Sequence, residues 1–190
     1  MRMITILFFI AAILVSTGCR PAAAPVAVSD RPVSVNGVPQ SNLPMPPSKP
    51  IPEMEWTTLE GNVGKIAAFR GKAVILDFWA TYCGPCRQEI PHLNELLAKH
   101  GADNLLIVGL NVGGEEDLLK IPEFVKETKI NYEIAVPEDA LNRFIFAESS
   151  SIPQTAIFDR QGRLVQKFIG YSPAMKAELE KAVETAVNRN

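Results

Sequence analysis

Cys83 and Cys86 enclose Gly84 and Pro85, a pair of thiols three residues apart. That spacing admits a zinc site, a structural disulfide or a reversible dithiol. Zinc needs two further ligands, and the chain has no second CxxC. The only histidines, His92 and His100, fall on the helix expected after the motif; His92 can reach it, and His100 lies two turns further on. A structural bridge across so short a loop would constrain the unfolded chain little. The redox reading has a mechanism. A thiol at a helix start meets free N–H groups and a dipole that favour its thiolate. Cys83 is then the exposed nucleophile. Cys86, one turn in and more buried, resolves the mixed disulfide. Gly84 and Pro85 allow the tight turn and add no charge.

The elements around the motif must place it at a strand-to-helix junction. Ala73 to Trp79 is a mostly apolar run, as expected of a strand buried on both faces. The helix after it runs from about Cys83 to Lys99, with Ile90, Leu93, Leu96 and Leu97 on one face and Pro91 as an internal kink. Upstream, Trp56 to Leu59 and Val63 to Ile66 flank Glu60-Gly61-Asn62 and read as a hairpin. Downstream come a strand at Leu105 to Val112, a helix near Leu118 to Lys129 and a strand at Tyr132 to Val136. A helix near Glu138 to Ala147 follows, and then strands at Thr155 to Phe158 and Leu164 to Ile169 joined by the turn Asp159-Arg160-Gln161-Gly162. Ser172-Pro173 caps a last helix that carries Met175, Leu179, Ala182, Val183 and Ala186 on one side. This alternation predicts one α/β domain over 53–190, a mixed sheet with helices on both faces.

The 190 residues are 47% apolar and 21% charged, enough for a sizeable core. A net charge of −2, with no long run of Lys and Arg, argues against a nucleic-acid partner. Three cysteines are too few for a disulfide-stapled scaffold. Residues 1–19 read as a targeting signal: Met1-Arg2, an apolar run from Met3 to Val15, then Ser16-Thr17-Gly18-Cys19. The run suffices for a signal-peptide core and is short for a membrane span. Residues 20–52 hold nine of the fifteen prolines and read as an extended tether.

The stretch Asp77-Phe78-Trp79-Ala80-Thr81-Tyr82-Cys83-Gly84-Pro85-Cys86 resembles the active-site strand and loop of thioredoxins. Gly71-Lys72, Glu89-Ile90-Pro91 and Ile152-Pro153-Gln154-Thr155, together with the signal and tether, are similar to the membrane-anchored TlpA/ResA-type thiol–disulfide oxidoreductases. The resemblance implies a thioredoxin-like fold with an N-terminal hairpin and an enzyme that works through its own Cys83–Cys86 pair, with no bound cofactor or metal. It implies a cis bond before Pro153 opposite the motif, with the Ile152 backbone pairing to a bound peptide. It makes Asp77 and Glu89 the carboxylates that tune the thiols. Asp77 is expected to be buried among Ile75, Leu76, Phe78 and Trp79; Glu89 is either such a group or a solvated helix charge. Trp79, Tyr82, Gly84 and Pro85 are expected to shape the substrate groove. Tyr82 stands where thioredoxins have Trp, and Ser149-Ser150-Ser151 where the family often turns on glycine.

Ser16 to Cys19 resembles a bacterial lipobox, with Ser16 in place of Leu, which implies a lipid on Cys19 and an envelope location. Cleavage after Ala24 and an uncleaved anchor are the alternatives; all three put the domain outside the cytoplasm. CGPC is the reducing variant in thioredoxins, so reduction of protein disulfides is expected, with apocytochrome c among the candidate substrates. Because that compartment is oxidising, a membrane electron-relay protein must resupply electrons. A copper chaperone on the same fold would suit two thiolates, but such proteins use a longer cysteine spacing and a distant C-terminal histidine. A peroxidase pattern P-x-x-x-T-x-x-C would need Pro and Thr where this chain has Leu76 and Ala80. A tethered binding module is the non-enzymatic reading, and turnover of a model disulfide separates it.

Overall fold

The computed structural model describes residues 49–189. The signal segment with Cys19, the candidate cleavage site at Ala24 and the proline-rich segment as far as residue 48 lie outside the described residues. Among the described residues, seven strands form one sheet in the order β2-β1-β5-β4-β3-β6-β7. They are β1 (Glu55–Thr58), β2 (Val63–Lys65), β3 (Ala73–Trp79), β4 (Leu105–Asn111), β5 (Glu133–Pro137), β6 (Gln154–Phe158) and β7 (Leu164–Ile169). The helices are α1 (Gly84–His100), α2 (Glu115–Leu118), α3 (Ile121–Thr128), α4 (Asp139–Ile145) and α5 (Lys176–Asn188). Pairs β3–β4 and β4–β5 are parallel; β3–β6, β6–β7, β1–β2 and β1–β5 are antiparallel. This is the mixed sheet with helices on both faces, and the fold is thioredoxin-like.

Side chains alternate across a strand. Along β3, Ala73, Ile75 and Trp79 enter one apolar cluster with Ile90, Leu93 and Leu96 of α1, Phe124 of α3 and Leu179 and Val183 of α5. Val74, Leu76 and Phe78 enter the other, with Trp56, Ile66, Val108, and Leu141 and Ile145 of α4. Asp77 shares the parity of Ile75 and Trp79, so it lies on the α1 side. Trp56 anchors the hairpin: its ring stacks on Phe69 with centroids 6.0 Å apart, and Nε1 donates to Glu133 Oε1 at 3.3 Å.

Several boundaries differ from expectation. Contacts with the domain extend to residues before 53: Lys49 Nζ pairs with Glu55 at 3.1 Å and Glu138 at 3.0 Å, and Ile51 packs on the second cluster. The helix expected over 118–129 is two pieces. Gly114 starts the four-residue α2, and Pro122 sits in the first turn of α3, where its missing N–H costs nothing. Helix α1 runs as one element through Pro91, which is exposed. Ser172 makes no capping bond with its side chain; a 3₁₀ turn over Pro173–Met175 leads into α5 instead.

Gly109 of β4 pairs with Asp77 of β3. A Cβ there would lie 2.8 Å from Trp79 Nε1 and 3.0 Å from the Tyr132 ring. Overpacking of this kind costs about 1–3 kcal/mol. Gly109→Ala is therefore expected to lower the unfolding free energy measured in urea by that amount, and an unchanged value would show that the two aromatics do not depend on the gap.

Candidate active site

Strand β3 ends at Trp79, and the chain turns over residues 80–83, closed by Cys83 N–H donating to Ala80 O at 3.1 Å. Cys83 is the N-cap of α1 with extended backbone, and its Sγ accepts the Cys86 N–H at 3.2 Å. Cys83 and Cys86 form a disulfide with Cα atoms 5.3 Å apart. Cys83 was expected to be exposed. It is only 5% exposed, because its sulfur turns inward to cap the helix; Cys86 is 1% exposed, so Cys83 remains the outer of the two. On reduction, the same N–H and the helix dipole stabilise a Cys83 thiolate.

Two carboxylates are buried on the α1 side of the sheet. Asp77 Oδ2 accepts the Tyr132 hydroxyl at 3.2 Å, and Oδ1 is buried without a partner. Burial pushes the Asp77 carboxyl up to about 7, against the lowering effect of the Tyr132 bond. Glu89, three residues past Cys86, is 1% exposed, which excludes the solvated reading. Its Oε1 accepts Thr155 Oγ1 at 2.6 Å, and Oε2 has no partner. Burial raises Glu89 well above the ordinary carboxylate range, and the neighbouring Asp77 charge raises it further; the Thr155 bond opposes both. Thr155 is the β6 partner of Asp77 in register, which brings the two carboxylates into one buried polar group. Burial holds the Tyr132 hydroxyl well above its usual range, so it stays a donor.

The groove residues divide. Tyr82 is 71% exposed, between the exposed Gly84-Pro85 and a groove of about 340 Å³ that it lines with Val112, Phe146, Ser150 and Ile152. The Ile152–Pro153 bond is cis. Trp79, expected in the groove, is wholly buried. Strand alternation turns it toward α3, where it stacks on Phe124 with centroids 4.7 Å apart and planes at 14°. His92 does not reach the thiols: Nε2 meets Glu180 Oε1 and Nδ1 meets the Tyr171 hydroxyl, each at 3.2 Å. Among the described residues, no three His, Cys, Asp or Glu side chains gather as metal donors.

Sequence reasoning missed Tyr132 and Thr155. Tyr132 belongs to no motif, and Thr155 only closes the Ile152-Pro153-Gln154-Thr155 run, which assigns it no role. Thr155 becomes visible only through its pairing with Asp77, and Tyr132 only when β5 is placed beside β4.

The folded chain keeps a proton on Asp77 up to about pH 7, whereas the unfolded chain loses it near 3.8. Between those values the native state binds more protons, so stability falls as pH rises through the window and levels off above it. Asp77→Asn is expected to flatten this decline and to stabilise the protein at pH 8 by roughly a few kcal/mol. Chemical denaturation at pH 5 and pH 8 reads the difference; an unchanged slope would mean that Asp77 ionises freely.

The AhpC/TSA family matches residues 47–167. Thiol-disulfide oxidoreductase ResA of Bacillus cereus is 32% identical over 123 residues, covering 64% of this chain and 69% of that protein. Thioredoxin-like protein YneN of Bacillus subtilis is 31% identical over 134 residues, covering 70% and 76%. Among solved structures, a thiol:disulfide interchange protein of the thioredoxin family from Chlorobium tepidum superposes with a TM-score of 0.61 at 26% identity, covering 73% of this chain and 96% of that one. With the capped cysteine pair in place, these likenesses agree on one chemistry: the chain belongs to the AhpC/TSA family and is a thiol-disulfide oxidoreductase of the ResA type.

Proposed function

We propose that this oxidoreductase works outside the cytoplasm as a reductase of protein disulfides. The observation that carries the reading is the Cys83–Cys86 disulfide at the start of α1, with the Cys83 sulfur held on the Cys86 N–H. In the dithiol form, the Cys83 thiolate attacks a substrate disulfide; one sulfur of the substrate leaves as a thiolate and takes a proton. Cys86 then gives its proton to the carboxylate pair and attacks Cys83 Sγ. The mixed disulfide breaks, the second substrate sulfur leaves, and the Cys83–Cys86 disulfide remains. Two electrons have passed to the substrate, so each turnover needs a dithiol donor, and a membrane electron-relay protein fits that need. The enzyme's own sulfurs carry the electrons, so no cofactor is required.

The reducing direction rests on the CGPC motif shared with thioredoxins. The envelope location rests on Met1-Arg2, the apolar run and the lipobox-like Ser16-Thr17-Gly18-Cys19, with a lipid on Cys19 as the anchor. Substrates are proteins with paired cysteines, a class that includes apocytochrome c. The apolar groove beside Tyr82, with the Ile152 backbone at its edge, suits an extended segment next to the substrate cysteine.

Cys86→Ser is expected to accumulate mixed disulfides with its substrates and Cys83→Ser to form none; on a non-reducing gel, the opposite pattern would reverse the roles. Cys19→Ser in the full chain is expected to move the protein from the membrane fraction to the soluble envelope fraction or to block its processing, whereas a mature N-terminus at Pro25 by mass spectrometry would replace lipidation with ordinary secretion.

A further inference from the structure

The turn that presents Cys83 is held by a carboxylate outside the redox pair. Asp117, on α2, is buried. Its Oδ2 accepts the Thr81 N–H at 2.9 Å and the Asn111 Nδ2 at 2.8 Å, and its Oδ1 accepts the Thr81 hydroxyl. Gly113 passes so close that any Cβ there would collide with the Asp117 side chain. On the other side, Arg87 Nη2 donates to Thr81 O at 3.4 Å. That guanidinium lies over the Phe124 ring at 4.4 Å and pairs with Glu127 at 2.8 Å. Every polar atom of Thr81 is therefore engaged, and Thr81 sits two residues before the nucleophile. Burial would push the Asp117 carboxyl up, but the donors from Asn111 and Thr81 outweigh it and hold it below the ordinary carboxylate range.

We propose that Asp117 is a positioning residue for the exchange reaction: by fixing Thr81 it sets the direction of the Cys83 sulfur and the stance of Tyr82 at the groove. The inference rests on Cys83 being the attacking thiol. A buried carboxylate that accepts three donors constrains a turn far more tightly than a solvated one, because releasing any donor leaves it unpaired out of water. A misplaced nucleophile loses rate steeply with distance and angle.

The test separates shape from charge. Asp117→Asn removes the charge and keeps the shape. Its amide oxygen can accept Thr81 N–H and Asn111 Nδ2, and its NH₂ can donate to the Thr81 hydroxyl, which also accepts. Asp117→Ala removes both. The readouts are the rate and pH midpoint of Cys83 alkylation by iodoacetamide in the reduced full chain, and the rate of insulin disulfide reduction, with circular dichroism to confirm folding. Asp117→Ala is expected to react roughly fivefold or more slowly than Asp117→Asn at the same pH, with a raised midpoint as the capping of the sulfur loosens. Thr81→Val is expected to slow the reaction, and Thr81→Ser to restore it. Rates for Ala and Asn within about twofold of each other, both variants being folded, would overturn the proposal and leave Asp117 a purely electrostatic or structural group. Should Asp117→Ala fail to fold, the Thr81 pair decides alone: equal rates for Val and Ser overturn the proposal, and slower reaction of Val supports it.

Discussion

Strand β3 is shielded from water along its whole length, and everything reactive in this chain takes its place from that constraint. A strand buried on both faces has no solvated side on which to put a polar residue. Asp77 must therefore lie among apolar groups, and its carboxyl must either find donors or hold its proton. It does both in part, with one oxygen on Tyr132 and one unpaired. The same strand leads through the turn at 80–83 into α1, so Asp77 faces the side of the sheet on which Cys83 and Cys86 join the apolar cluster. Flanking by β4 and β6 fixes the neighbours: Gly109 on one side leaves room for aromatic rings, and Thr155 on the other supplies the bond to Glu89.

The local signals in the chain were easily read. CGPC after an apolar run, the Gly61 turn and the Gly162 turn each announce themselves within a few residues. Contacts between distant residues did not. Trp79 adjoins the reactive loop in sequence, yet alternation points it at Phe124, and nothing within ten residues says which face of β3 meets α3. Tyr132 bonds Asp77 from 55 residues along the chain, and Asp117 bonds Thr81 from 36. The break between α2 and α3 is hidden because Leu118, Ile121, Phe124 and Val125 keep helical spacing across it; Pro122, just past the break, is its mark in the sequence.

Membership of the AhpC/TSA family also shows where a shared fold stops implying a shared reaction. The peroxidase pattern weighed from the sequence requires Pro and Thr at positions held here by Leu76 and Ala80. Leu76 points into the cluster away from α1, and Ala80 contributes a carbonyl to the turn before Cys83. Neither can activate a peroxide oxygen. What this chain has instead is a second sulfur one helical turn from the first, so the oxidising equivalent is stored as a bond within the protein rather than on a single atom.

The missing side chain at Gly109 has a consequence on the evolutionary scale. The space it leaves is filled by Trp79 and Tyr132, from two different elements, so the three positions share a single volume. In a lineage descended from this chain, residue 109 acquires a side chain only at a cost in stability unless one of the two aromatics shrinks or moves away. If the ring at 132 is the one to give way, the hydroxyl on Asp77 goes with it. A drift in packing would then be inherited as a change in the acidity of the site, with no substitution at any cysteine or carboxylate to mark the event.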